Sequence, residues 1–310
     1  MTAPTRTRTR TLARRGLRLL TLGLVLAIAA LVVPDSAVNS TRFELVKVHQ
    51  ADGADVGPDV VWVLAVGSDA RPGEDMTHSR GDALQLVGID TRTHAAADIG
   101  IPRDSWVDIP GHGYNKINSS LYFGGPQLLG QTVGNLVGIR PDYVFVTRFP
   151  YFIAMVKSIG GIEVNNPRAF SDSALRPKGF DAGRIHLNGY DAMAFSRIRH
   201  SLPRGDFDRS ANQQRVLRGI QAKVRARASA PGFIERGVVT AMQHMHTDLG
   251  PAQLYELAQA LSQVEPSKIT NCVVQGGIGT IGGASVVLPY TSQARRYGDE
   301  ARKDATLEHC

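Results

Sequence analysis

The side chains able to do chemistry here are arginines and aspartates spread widely along the chain: Asp69, Arg71, Arg80, Asp82, Arg103, Asp104, Arg197, Arg199, Asp206 and Arg209, with Lys116 among them. A guanidinium presents a planar fork to phosphate oxygens, and carboxylates hold hard divalent cations. Many arginines with few carboxylates therefore suit a multiply charged anion accompanied by a metal. Taken singly, each charge is more commonly one half of a surface ion pair that stabilises little, and Asp69 more commonly a helix cap. Gathered at strand ends, where α/β folds place reacting groups, they make a site.

What must gather them is a set of strands. Val60 to Gly67 is continuously apolar and Val-rich, which reads as a strand buried on both faces and ending at Ser68-Asp69. Ala83 to Ile89 and Ala95 to Ile101 flank the turn-like Asp90-Thr91-Arg92-Thr93-His94, so they predict a hairpin. That hairpin brings Arg80 and Asp82 to the sheet end where Arg103 and Asp104 follow, with Pro110 and Gly111 marking a turn before Lys116. Leu128, Leu129, Val133, Leu136 and Val137 recur at helical spacing, Tyr143 to Val146 reads as a strand, and Tyr151 to Ile159 as a helix. Residues 165 to 183, holding Pro167, Pro177 and Gly179, read as a loop that could act as a mobile flap. Arg197 and Arg199 stand two apart, a spacing natural to an extended exit from the helix before them, so both can converge on one oxyanion. Arg209 and Gln213 are four apart on a long helix that runs to about Ala228. Two further helices (231–245 and 251–264) and a strand (268–275) follow. Gly277 to Gly282 matches a dinucleotide glycine pattern, but a strand at Ser285 to Leu288 stands where a helix must begin, so it reads as a hairpin turn.

Composition narrows the class. Of 35 Lys and Arg, six (Arg6, Arg8, Arg10, Arg14, Arg15 and Arg18) precede residue 19; the remaining 29 face 28 acids. The body is thus near neutral, which argues against a nucleic-acid partner. The arginine-rich tail (1–18) leads into apolar Leu19 to Val33, closed by Pro34. Those fifteen residues reach roughly 22 Å at about 1.5 Å each, a short span unless Arg18 snorkels. A cleaved signal peptide shares this layout, but the small-residue cleavage site it wants is poorly represented. The expectation is a membrane anchor (19–34) with the N-terminus cytoplasmic and the body outside, a polar linker (35–58) holding one short strand at Phe43 to Val48, and one main domain (59–310). Outside the cytoplasm Cys272 and Cys310 can form a disulfide; free or intermolecular thiols are the alternatives. No zinc-ligand spacing, G-x-S-x-G or Walker loop occurs.

The ordered strings Val66-Gly67-Ser68-Asp69-Ala70-Arg71, Arg80-Gly81-Asp82, Ile101-Pro102-Arg103-Asp104, Lys116-Ile117-Asn118, Gly124-Gly125, Ser196-Arg197-Ile198-Arg199 and Asp206-Phe207-Asp208-Arg209 with Gln213-Gln214 resemble the LytR-CpsA-Psr family over roughly residues 60 to 220. The resemblance implies an α/β fold, an αβα sandwich with a mixed central sheet around an apolar tunnel for a polyprenyl chain, beside the N-terminal transmembrane helix. It implies transfer of a glycopolymer from a polyprenyl diphosphate carrier to peptidoglycan, with the muramic acid 6-hydroxyl as acceptor. Carried over by motif, Asp69 and Asp82 hold Mg²⁺ (or Mn²⁺), while Arg80, Arg103, Lys116, Arg197, Arg199, Arg209 and Gln213 contact the diphosphate oxygens. Asp206 is then the candidate base for the hydroxyl proton and Asp104 the other. The apolar stripes at Leu128 to Val137 and Tyr151 to Met155 are the candidate tunnel walls. Gly81, Ala83, Phe195 and Asn212 depart from the family's usual residues. Two other readings share these residues: a polyprenyl diphosphate hydrolase and a non-catalytic lipid-binding membrane regulator.

Overall fold

The computed structural model describes residues 43–49 and 59–310. The basic tail, the expected anchor at 19–34 and most of the 35–58 linker lie outside the described residues. Among those described, no helix is long and apolar enough to cross a membrane.

A seven-stranded mixed sheet organises the molecule. In chain order its strands are β1 (Phe43–Lys47), β2 (Val60–Ser68), β3 (Gly81–Asp90), β4 (Ala96–Gly100), β7 (Tyr143–Arg148), β12 (Met245–Thr247) and β13 (Ile269–Val273). Across the sheet they run β12-β1-β7-β2-β3-β4-β13. The predicted hairpin is present: β3 and β4 are antiparallel with Gln85 opposite Gly100, and β2 is antiparallel to β3 with Ser68 opposite Gly81. The Phe43 segment, expected as a short strand in a linker, is a full member of the sheet between β7 and β12.

Helices cover both faces. On the first face α1 (Ser119–Val137) and α7 (Thr291–Ala301) pack Leu129, Val133, Ala294 and Tyr297 against Trp62, Leu64, Val66, Leu84 and Leu86. Gly88 lies under the Trp62 indole; a Cβ there would stand 2.5 Å from the ring. The second face meets α4 (Asp206–Ala228) through Gln85, whose amide donates to Ser210 Oγ (3.1 Å) and Gln213 Oε1 (2.9 Å). It also meets α5 (Phe233–His244) and α6 (Pro251–Gln263), which pack Val238, Leu254 and Leu257 with Tyr143 and Phe145. A smaller core joins α2 (Phe149–Ser158), α3 (Gly189–Arg197) and the short strands that follow α2.

Two expectations need correction. Residues 165–183 are not a flap: β8 (Ile162–Asn166) pairs with β11 (Gly183–Leu187), and β9 (Phe170–Asp172) with β10 (Arg176–Phe180). Alternation at Ile162, Val164 and Asn166 buries one side of β8, and the Phe170, Phe180 and Phe195 rings cluster with centroids 5.2–5.3 Å apart, which anchors the hairpins. Nor is β2 buried on both faces. Its burial alternates, with Val61, Val63, Ala65 and Gly67 partly exposed on the second face. The glycine-rich segment forms the predicted hairpin, β14 (Gly276–Ile281) with β15 (Ala284–Pro289), turning at Gly282 and Gly283 with φ of +57° and +78°. Both cysteines are joined, Cys272 to Cys310, with Cα atoms 5.2 Å apart.

Asp98 on β4 lies under α4, its Oδ1 buried with no hydrogen-bond partner among the described residues. Burial pushes its carboxyl up to about 7, against a smaller lowering by Gln214. The folded state therefore holds a proton that the unfolded chain, with a value near ~3.9, releases earlier. Stability falls as pH rises between those values and the loss is constant above them. Asp98→Asn should raise the melting temperature by several degrees at pH 8 and hardly at all at pH 4; a gain independent of pH in a thermal melt would contradict this origin.

Candidate active site

The site stands where β2, β3, β4 and the exits of α3 and the β5–β6 hairpin meet, β5 being Trp106–Ile109 and β6 Gly113–Lys116. Each charge is placed by the end of an element. Asp69 follows β2 and Arg80 precedes β3, and the two are clamped by their backbones: Asp69 N–H donates to the Arg80 carbonyl (3.0 Å), and Arg80 N–H to Asp69 Oδ1 (3.1 Å). Asp82 is the second residue of β3, opposite the end of β2. Arg103 and Asp104 leave β4, and Lys116 closes β6. Arg197 is the last residue of α3; Ile198 is extended (φ −61°, ψ 132°), so Arg199 leaves in the extended geometry expected from the two-residue spacing.

The charges interlock. The Asp82 carboxylate accepts from Arg103 Nη1 through one oxygen and lies 3.7 Å from Arg197 Nη2 through the other. Asp104 meets Lys116 Nζ at 3.0 Å and Arg199 Nη1 at 3.3 Å. Asp206, in the first turn of α4, meets Arg199 Nη1 at 3.2 Å and Arg209 Nη2 at 3.0 Å. The Arg197 guanidinium also stacks 4.1 Å above the Phe149 ring. Counting Arg80, Arg103, Lys116, Arg197, Arg199 and Arg209 against Asp69, Asp82, Asp104 and Asp206 leaves an excess of two positive charges. A diphosphate diester carries about two negative ones, so the cluster is charge-matched to it.

Burial tunes these groups. It pulls Arg103 and Arg197 below the ordinary arginine value, and Arg209 to about 10, while the neighbouring carboxylates oppose the shift. All three stay charged at neutral pH; Arg103 and Arg209 are largely stripped of water, which strengthens their hold on an anion, while Arg197 is half-buried. Burial would raise Asp104; the Lys116 hydrogen bond and the charges of Arg103, Lys116 and Arg199 outweigh it, and its carboxyl sits below the usual range. Arg103 Nε is buried and makes no hydrogen bond among the described residues; Asp104 Oδ2 lies 4.0 Å from it.

Two cavities meet at Arg103 and Arg199. One, of about 210 Å³, is bounded by Asp82, Arg197 and Arg209. The other, of about 560 Å³, is bounded by Asp69, Arg80, Asp104 and Lys116. The expected charges thus converge, except Arg71, which is exposed and bounds neither cavity. Gln213 does not extend to an anion: its amide donates to the Ser196 carbonyl (3.1 Å) and the Asp82 carbonyl (3.4 Å), so it ties the strand carrying Asp82 to the helix end carrying Arg197. Among the described residues no three His, Cys, Asp or Glu side chains form a metal cage. Asp69 and Asp82 stand on neighbouring strand ends but bound different cavities, and both oxygens of Asp82 already meet guanidiniums.

The α1 stripe, expected as a tunnel wall, is not one. Leu129 and Val133 of α1 are closed core on the first face. On the second face Val61, Val63 and Ala65 join none of the hydrophobic clusters, although they lie mid-strand in the centre of the sheet. They form a half-buried apolar row along β2, nine residues or roughly 30 Å long, that ends at Gly67 and Ala83 beside Asp82. Phe149 and Gln85 were also missed. A lone Gln inside the apolar run of β3 was the available signal, since a buried amide needs partners.

A family model described as the LytR_cpsA_psr family matches residues 35–303. The chain belongs to the LytR-CpsA-Psr family. Among relatives, the Bacillus anthracis protein named polyisoprenyl-teichoic acid–peptidoglycan teichoic acid transferase TagU is 31% identical over 245 residues, 75% of this chain and 78% of that one. The crystal structure of Bacillus subtilis TagU superposes with a TM-score of 0.60 at 27% identity, covering 81% of this chain and 99% of that chain. The LytR-CPS2A-psr protein YwtF (TagT) with bound octaprenyl pyrophosphate lipid shares the fold, with a TM-score of 0.61 at 24% identity over 85% and 97% of the two chains. The mixed sheet is therefore that of the LytR-CpsA-Psr family.

Inorganic pyrophosphate should raise the melting temperature of this family member, and less so as salt increases. Arg103→Ala should weaken that binding about 10- to 100-fold, the loss of charged hydrogen bonds worth roughly 1.5–3 kcal/mol. The exposed Arg184→Ala should leave it unchanged; equal responses from both variants would show that the cluster does not hold the anion.

Proposed function

We propose that the protein is a phosphotransferase that moves a glycopolymer from a polyprenyl diphosphate carrier to a peptidoglycan hydroxyl, the muramic acid 6-hydroxyl, and releases polyprenyl phosphate. The observation that carries this reading is the junction of a charge-matched cationic cluster with the half-buried apolar row of β2, which we read as the floor of a trough for a lipid tail. An amphiphile with a diphosphate head and an isoprenoid tail satisfies both. Each isoprene unit buried in the trough contributes about 4 kcal/mol, from ~0.8 kcal/mol for each carbon. The names of the TagU relatives and the lipid held by TagT support the same ligand class.

In the reaction the acceptor oxygen attacks the glycan-side phosphorus, a P–O bond forms, and the bond to the bridging oxygen breaks. Charge grows on the equatorial and leaving oxygens. Arg103, Arg197 and Arg199 stand where that charge develops, held by Asp82, Asp104 and Asp206 so that they need not reorganise. Arg80, Lys116 and Arg209 complete the electrostatic shell. Asp69 and Asp82 would hold Mg²⁺, which would offset phosphate charge; an ion on Asp82 would replace one of its two guanidinium contacts. The proton passes to Asp104, the carboxylate that lines the larger cavity, with Asp206 behind it as the other candidate. Its neighbouring cations hold Asp104 below the usual carboxylate range, so a loose transition state with late proton loss fits the site. The body works outside the membrane, where its donor and acceptor meet, tethered by the segment before residue 35.

Incubating the full chain with a radiolabelled lipid-linked glycan and peptidoglycan tests this. Label should reach the polymer in the presence of Mg²⁺, fall with EDTA, and fall on the order of 10²-fold or more with Asp82→Ala or Arg199→Ala. Label released only to water would identify a hydrolase; label left on the lipid by wild-type protein would leave a lipid-binding regulator.

A further inference from the structure

The two cavities at the cluster differ in where they lead, and this assigns one of them. The smaller is walled by Arg209 of α4, a second-face helix, and by Asp82, next to Ala83 at the end of the apolar row of β2. The larger shares Arg103 and Arg199 with it and reaches Ser119 of α1, a first-face helix. Its walls beyond the charges are Trp106 and Asn115 of the β5–β6 hairpin, Asn118 and Ser119 at the start of α1, and Ile281 and Ala284 at the tip of the β14–β15 hairpin. That tip is fixed over the site by its base, where the Val287 N–H donates to the Asp104 carbonyl at 2.9 Å and Val287 pairs with Ser105.

In-line displacement at phosphorus puts the attacking and leaving oxygens on opposite sides. If the lipid phosphate leaves toward the trough, the attacking hydroxyl enters from the larger cavity. We propose that this cavity, between Trp106 and the Ile281–Ala284 hairpin tip, is the subsite for the acceptor sugar. Its chemistry fits an amino-sugar residue of a glycan chain. An indole supplies an apolar ring surface, and the Asn115 and Asn118 amides supply donors and acceptors for hydroxyl and acetamido groups. A volume of about 560 Å³ falls within the ~300–1,000 Å³ of small-ligand sites. Tyr114, next to Asn115 on β6 and 67% exposed, offers a second aromatic surface along which the chain can continue.

This assignment rests on the transfer reading above, and its test separates the two. Trp106→Ala and Ile281→Ser are assayed in the full-length protein for transfer against peptidoglycan-fragment concentration, and for binding of the lipid-linked donor in the absence of acceptor. Ile281 is at an exposed hairpin tip, so its replacement leaves the fold intact even should Trp106→Ala lower stability. The expected result is a rise of about 10-fold or more in KM for the acceptor in each variant, with kcat and donor affinity within about twofold of wild type. An unchanged acceptor KM overturns the assignment. So does a matching loss of donor affinity, which would place the donor's own sugar in this cavity. Absence of transfer by wild-type protein would instead overturn the transfer reading itself.

Discussion

The structure depends on the mutual neutralisation of buried arginines and aspartates. Stripping a guanidinium of water is costly, and an unpaired one would not be tolerated at the depth of Arg103 or Arg209. Asp82 and Asp206 each answer two cations and Asp104 three, so no arginine of the central set stands alone. The same pairing fixes the forks in position before any anion arrives. An incoming diphosphate exchanges one set of oxygens for another, with little rearrangement, which is what electrostatic preorganisation requires.

That cluster can exist only because the sheet has two unlike faces. The first face is closed by α1 and α7 and makes the stable core. The second is bridged at its site end by the Gln85, Ser210 and Gln213 amide network and at its far side by α5 and α6, and over β2 its apolar residues stay partly exposed. Close approach of α4 to β4 is part of this bridge: a Cβ on Gly100 would stand 2.4 Å from Ser210 Oγ. The strand ends then deliver Asp69, Asp82, Arg103 and Asp104 to the one place where polar network, apolar trough and open cavities adjoin.

Much of the site was legible because its residues are punctuation. Charges directly after apolar runs must emerge at strand ends, and the β3–β4 hairpin, legible from the turn at Asp90 to His94, brings Arg80 and Arg103 to one sheet end. The two-residue spacing of Arg197 and Arg199 was likewise enough to place them on an extended exit. Burial was less legible. An apolar run such as Val60 to Gly67 carries no mark of which side will be covered, so the trough and the closed core looked alike, and the helical stripe of α1 was given the wrong neighbour. Residues 165–183 misled for another reason: strands of three to five residues rich in Gly, Pro and charge have no loud periodicity, and tertiary contacts among Phe170, Phe180 and Phe195 decide them. Gln213 was assigned by motif to the anion, whereas its packing among backbone carbonyls makes it a brace.

The central claim is that one amphiphile occupies both the cationic cluster and the second-face trough. Native mass spectrometry of the detergent-purified full chain tests it most directly, comparing wild type with Val63→Trp, which fills the trough and leaves every charged residue in place. The account predicts a retained polyprenyl phosphate or diphosphate on wild type, lost from Val63→Trp while its thermal response to pyrophosphate persists. Equal lipid retention by the two proteins would show that the tail lies elsewhere and would contradict the account.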